Sequence, residues 1–247
     1  LTTSRPLGFL INFNALIVIP VIMYGLILAQ HHFTPLIISS LTLLSLLYLA
    51  SIRFSTIALI LLLIALGGFL IIQFGPSYRS ERMDIYARYS LFHKLADNQS
   101  DYQGTRDYQI RESLISLGSG GLLGTGSHRG TGKHYFLPEA KTDYIFAIIG
   151  EEYGFLGAML VLGLFVFLFI RTAINSSKVE SLYLKLLSLG LGLNIFYNVM
   201  VNVGVAISAL PSTGVTLPFI SYGGTSLLIN SFAVGLLLNV SAERRMI

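Results

Sequence analysis

Long apolar runs separated by brief polar connections dominate this chain. A membrane span needs about 20 mostly apolar residues, and roughly six segments reach that length. Residues 10–29, 34–51 and 55–74 come first, joined by very short connections. A polar stretch, 75–142, separates them from three further runs at 143–170, 182–210 and 215–240. Barrel strands alternate lipid-facing and lumen-facing residues, and these runs are too long and too uniformly apolar for that. The pattern predicts an all-α polytopic membrane protein with one long extracytoplasmic loop. Its organisation is three helices in 1–74, the loop in 75–142, and three helices with a short cytoplasmic tail in 143–247, forming one membrane domain.

Composition narrows the function classes. Of 247 residues, 53% are hydrophobic and 11% charged, whereas soluble domains carry about 25% charged residues. A water-soluble globule is excluded. The absence of cysteine removes disulfides, zinc-thiolate sites, iron–sulfur clusters and a thiol nucleophile. The net charge of +4 does not call for nucleic acid, because membrane proteins gather Lys and Arg in cytoplasmic loops. Here Arg5, Arg53, the group Arg171, Lys178 and Lys185, and the pair Arg244-Arg245 fall on one side, while the turns at 30–33 and 211–214 carry no Lys or Arg. Both termini are thus expected in the cytoplasm and the 75–142 loop outside. That loop holds nine Lys/Arg, but it exceeds the length over which the charge rule operates. The chain opens Leu1-Thr2-Thr3-Ser4-Arg5, without Met or a signal-peptide n-region, as expected of a piece of a longer protein.

Water-phase chemistry belongs in the loop, whose nine Lys/Arg and seven Asp/Glu rule out a lipid-facing position. The stretch 78–84 reads either as an amphipathic helix at the interface or as a solvated surface helix. Seven glycines fall between Gly118 and Gly132. Glycine permits positive φ and close backbone approach, so this piece is either a flexible loop or a wrap for a pyrophosphate. Past Pro138, Thr142 or Asp143 suits the N-cap of the next helix. The competing reading makes Asp143 a carboxylate at a cavity mouth, able to take a proton from a substrate hydroxyl. Glu151 and Glu152 follow about 12 Å further along that helix. Ionisable groups at membrane depth face a bundle interior or a cavity, and Asn194, Asn198 and Asn202 form a stripe able to meet them. Gly150, Gly154 and Ala158 add a small-residue face for close helix approach. Residues 210–226, with Pro211 and Pro218, read as a broken lead-in to the last helix, tolerated at that depth only when buried or lining a cavity. The five histidines form no metal constellation, and no dinucleotide, Walker or kinase motif occurs.

Three of these segments together resemble a known family. Gly118-Ser119-Gly120-Gly121-Leu122-Leu123-Gly124, the run from Phe136 to Gly154 that includes Pro138-Glu139-Ala140-Lys141-Thr142-Asp143 and Gly150-Glu151-Glu152, and Leu217-Pro218-Phe219-Ile220-Ser221-Tyr222-Gly223-Gly224-Thr225-Ser226 follow the order found in the SEDS proteins. These are the FtsW/RodA/SpoVE-type lipid II polymerases of bacteria. Tyr78-Arg79 and Arg82 match a further Tyr-Arg-x-x-Arg element. Family members have ten membrane helices and a large outer loop between the seventh and eighth, so the resemblance implies that four helices precede this chain. Within the family the sequence looks closer to the FtsW-like division branch.

The resemblance also implies an activity: peptidoglycan glycosyl transfer from lipid II at the outer face of the bacterial cytoplasmic membrane, in cell division or cell-shape maintenance. Asp143 stands at the position of the loop acid and is expected to be the general base. Arg79, Arg82 and Lys133 are expected to hold pyrophosphate, with a divalent cation as a possible cofactor and no metal ligand set visible. Glu139, Thr142, Glu151, Ser221, Gly223 and Gly224 complete the expected substrate site. Expected partners are lipid II, a class B penicillin-binding transpeptidase, other division proteins and membrane lipids. A lipid-linked sugar flippase and a non-catalytic transpeptidase scaffold are the rival readings. The sequence departs from the family at Gln30-His31-His32-Phe33-Thr34-Pro35, where a Pro-Asp pair is usual. It departs again at Lys141, commonly His, and at Ser212-Thr213, often Thr-Lys in the division branch.

Overall fold

The computed structural model describes residues 22–27, 33–51, 105–126 and 142–243. Among them lie α1 (Phe33–Leu49), α2 (Thr105–Ser119), α3 (Ile145–Ser177), α4 (Leu182–Ala206) and α5 (Gly224–Glu243), with a helical stretch at 22–27. No strand occurs among the described residues. Three helices, α3, α4 and α5, are long and apolar enough to cross a membrane. The chain is therefore an all-α polytopic membrane protein. The spans expected at 10–29 and 55–74, the interfacial piece at 78–84 and the tail beyond 243 lie wholly or largely outside the described residues.

α4 is central: it packs most extensively against α3 and also contacts α1, α2 and α5, while α2 lies mainly on α3. Two apolar clusters hold this arrangement. Phe146, Ala158, Val199, Val203, Ala206 and Leu217 form the larger one, between α3, α4 and the segment after α4. Ile110, Tyr144, Ile148 and Val205 form the smaller one, fastening α2 to the start of α3 and the end of α4. Outward positions are apolar too. Phe155, Leu160, Leu164 and Phe167 of α3 are more than half exposed, a surface that water disfavours and lipid accommodates.

Three expected boundaries are corrected. α3 continues to Ser177, beyond the 143–170 run, and is interrupted at Gly154 by a non-helical φ/ψ of 68° and −170°. The piece before the break, 145–153, is short, and the 23 residues after it are enough to cross about 30 Å of hydrocarbon at about 1.5 Å per residue. α4 ends at Ala206 rather than 210. The last helix begins at Gly224, so the apolar stretch from 215 to 223 is not part of it.

Candidate functional site

The site is built where α3 begins. Neither Thr142 nor Asp143 is its N-cap: that position falls on Tyr144, which makes no side-chain capping bond. The backbone N–H groups of Ala147 and Ile148 donate to the Tyr144 carbonyl instead, and its buried ring packs in the smaller cluster. Asp143 thus precedes the helix, half-buried. One of its carboxylate oxygens lies beside Gly214, at 3.7 Å from where a Cβ would stand on that residue. Gly214 has a φ of 74°, a conformation glycine adopts without steric cost.

The facing wall is the irregular segment between α4 and α5. A non-helical backbone here needs partners for its polar groups, and side chains supply them. Asn202, 1% exposed, donates from Nδ2 to the Val215 carbonyl at 2.7 Å and to the Asp143 carbonyl at 3.0 Å. The Ser221 hydroxyl accepts from the Leu217 N–H at 2.7 Å and donates to the Thr142 carbonyl at 2.6 Å. Thr34 of α1 donates to the Thr213 carbonyl at 3.4 Å. The Thr216 and Ser226 hydroxyls bond each other at 3.1 Å, and Asn230 donates to Ser226. Two non-glycine residues of this region, Ser208 and Phe219, take positive φ. Such strain costs about 1–3 kcal/mol each and persists only where the surroundings over-determine it.

Over 120–126 the glycine-rich segment is neither a loose loop nor a free nest of N–H groups. It inserts into the break in α3. In an unbroken helix the N–H groups of Phe155 and Leu156 would donate to the carbonyls of Glu151 and Glu152. Here they donate to Gly121 and Leu122 (2.9 and 3.2 Å), while Thr125 and Gly126 N–H groups donate to Glu151 and Glu152 (2.9 and 3.1 Å). Two helical bonds are replaced by four across the junction, and the Thr125 hydroxyl adds a fifth to Glu151 at 3.1 Å. Contact is so close that a Cβ on Gly120, Gly124 or Gly154 would stand 1.9–2.3 Å from backbone atoms of the other segment. The small-residue face of α3 therefore receives this turn at Gly150 and Gly154, Gly150 facing Leu117 of α2.

Several expected site residues change place accordingly. Glu151 and Glu152 sit not within a straight span but at the foot of the short segment before the break, 2% and 6% exposed. The asparagine stripe divides: Asn202 serves the carbonyls of Asp143 and Val215, and Asn198 donates to Asn194. Thr142, Asp143 and Ser221 are brought together. Gly223 and Gly224 stand at the start of α5, where a Cβ on Gly224 would meet only open space and one on Gly223 only Ser226 at 3.6 Å. Arg79, Arg82, Lys133 and Glu139 lie outside the described residues. Asn202 was expected to meet Glu151 and Glu152 rather than Asp143, and Phe219 had no expected part in the site. The asparagine spacing was visible, but only the fold shows which member meets Asp143. Among the described residues no group of three or more His, Cys, Asp or Glu could hold a metal ion.

These features define a multi-pass α-helical membrane protein whose polar site lies where one helix starts and the approach to another is broken. The model of the family described as "Cell cycle protein", FtsW/RodA/SpoVE, matches residues 4–246. The chain belongs to that family. It is 36% identical over 225 residues to the probable peptidoglycan glycosyltransferase FtsW of Coxiella burnetii, covering 90% of this chain and 58% of the relative. It is 40% identical over 183 residues to the stage V sporulation protein E of Bacillus subtilis, covering 74% and 47%. The chain thus spans about half the length of these curated relatives. Among solved structures, a chain from "Structural coordination of polymerization and crosslinking by a peptidoglycan synthase complex" shares the fold with a TM-score of 0.72 and 24% identity, over 98% of this chain and 64% of that one. The crystal structure of the Thermus thermophilus rod shape determining protein RodA does so with a TM-score of 0.57 and 24% identity, over 98% and 59%.

Proposed function

We propose that the protein to which this chain contributes is a peptidoglycan glycosyltransferase that polymerises lipid II at the outer face of the bacterial cytoplasmic membrane. Membership of the FtsW/RodA/SpoVE family and the FtsW names of its relatives support the reading. The observation that carries it is the placement of Asp143: a half-buried carboxylate ahead of a helix, against a glycine of the facing irregular segment, with its own backbone tied to that segment. A group so placed can orient and deprotonate an acceptor hydroxyl.

In the reaction, the 4-hydroxyl of the acceptor N-acetylglucosamine attacks the anomeric carbon of the donor N-acetylmuramic acid. A glycosidic C–O bond forms, the bond from that carbon to pyrophosphate breaks, and the hydroxyl proton passes to Asp143. Undecaprenyl pyrophosphate leaves with the bonding electrons. Its charge needs stabilisation more than an acid, a role we assign to Arg79, Arg82 and Lys133, with arginine suited to paired phosphate contacts. Glu139 and the region of Glu151, Gly223 and Gly224 are assigned to the surrounding substrate site, and the transpeptidase partner to the assembled full-length protein. We assign the membrane orientation from the two ends of α3. Its N-terminal end adjoins Asp143, Arg171 and Lys178 mark its C-terminal end, and the 23 residues after the break suffice to cross the hydrocarbon between them, so the basic end is assigned to the cytoplasm.

The test uses full-length protein with lipid II. Asp143→Asn and Asp143→Ala should lower glycan-strand formation by about 10²–10⁴-fold. Unchanged polymerisation overturns the assignment. Lost transbilayer movement of lipid II with polymerisation intact would favour a flippase, and loss of neither, with partner binding retained, would favour a scaffold.

A further inference from the structure

We propose that Asn202 and Ser221 are positioning residues that jointly hold the backbone of Asp143 in its reactive setting. The inference rests on Asp143 acting as the base, and it concerns two side chains that do not themselves touch the reacting atoms.

Two peptide planes flank the Asp143 Cα. The plane before it ends in the Thr142 carbonyl, and Ser221 donates to that oxygen at 2.6 Å. The plane after it begins with the Asp143 carbonyl, and Asn202 donates to that oxygen at 3.0 Å. Peptide planes are rigid, so anchoring both restrains φ and ψ of Asp143 and leaves its carboxylate only side-chain rotation. Each anchor also grips the facing segment. Asn202 gives its second amide proton to the Val215 carbonyl, and Ser221 accepts from the Leu217 N–H. Asp143 is thus held against residues 215 and 217, one to three positions past the glycine its carboxylate adjoins.

The chemistry of the two side chains suits this role. Both amide hydrogens of Asn202 are in use, while its Oδ1 is buried without a hydrogen-bond partner among the described residues. The flipped amide would aim an oxygen at two carbonyls, so the group is committed to being a neutral double donor. Aspartate at 202 would oppose both carbonyls, and leucine would leave both without their donor. The Ser221 hydroxyl uses its proton and a lone pair together, which alanine cannot do and threonine can. A helix N-cap would have supplied such restraint to the start of α3, but none is made by a side chain at Tyr144.

Loosening a catalytic group by about 1 Å costs about 10²-fold in rate. In the full-length protein, Ser221→Ala should lower kcat by about ten- to a hundredfold with KM for lipid II little changed, and Ser221→Thr should restore most of it. Asn202→Leu should lower kcat at least as far, with no rescue by Asn202→Asp. In an Asp143→Asn background, Ser221→Ala should cause no additional fall, since the residue it positions is already gone. Full kcat in a folded Ser221→Ala protein, or a fully additive loss in the Asp143→Asn background, overturns the proposal. Should Asn202→Leu fail to fold, the Ser221 variants decide alone. An active Asp143→Asn protein would instead overturn the underlying assignment of the base.

Discussion

Gly154 and Gly163 lie in the same helix, yet a methyl group at each would meet different surroundings. At Gly163 nothing stands within 4 Å. At Gly154 the added carbon would fall 2.3 Å from the Gly124 nitrogen, and the residue already has a φ of 68°. Gly124 mirrors it, with a φ of 84° and the Glu152 carbonyl oxygen 2.2 Å from its Cβ position. Gly124→Ala should therefore cost more than about 2 kcal/mol, from steric overlap and left-handed strain together. Gly163→Ala should be neutral or stabilising by up to about 1 kcal/mol through helix propensity. Thermal unfolding of the two variants in detergent checks this, and similar midpoints would refute the close contact. In the sequence these glycines differ only by neighbourhood. Gly124 belongs to a cluster whose composition marks a special backbone, but the partner that makes a Cβ impossible, the Glu152 carbonyl, is 28 residues away in another element.

The break in α3 shows how two elements share one hydrogen-bonding problem. An interrupted helix inside a membrane protein exposes N–H and C=O groups that lipid cannot satisfy. The 120–126 turn pairs with the N–H groups of Phe155 and Leu156 and with the carbonyls of Glu151 and Glu152, so α2, the turn and the first segment of α3 form one unit. Ser113 of α2 adds a bond at 3.0 Å to the Ala206 carbonyl at the end of α4, where a helix leaves its last carbonyls unpaired. Displacing the turn should open this junction locally. Hydrogen exchange of the Phe155 and Leu156 amides should accelerate strongly in Gly124→Val, while amides after Phe165 keep their protection. Uniform acceleration along α3 would mean that the turn supports the whole helix, not the break. The apolar run conveyed the existence of α3 but not its continuation from residue 170 to Ser177. The break did not register, because hydropathy counts side chains and the interruption is a backbone event.

At the scale of the molecule, the orientation is directly testable in the full-length protein freed of any cysteine outside this chain, which itself has none. Single cysteines can be introduced at Leu123, 79% exposed in the glycine turn, and at Lys178, at the C-terminal end of α3. An impermeant maleimide added to intact cells should label Leu123→Cys, and should label Lys178→Cys only after permeabilisation. The reverse result would invert the topology and move Asp143 to the cytoplasmic face. The membrane class, the α-helical character and the family motifs were all legible in the chain, because each is carried by local composition and short-range pattern. So was the candidacy of Asp143, as one of two readings of a residue beside a helix start. Which reading the fold favours is a long-range matter. Tyr144 takes the cap position through packing with α2 and α4, and Asn202 and Ser221 reach Asp143 and Thr142 from 59 and 79 residues away. Hydrophobic burial writes itself into the order of residues. The direction of a single buried hydrogen bond does not, since it depends on which distant backbone groups the packed helices leave without partners.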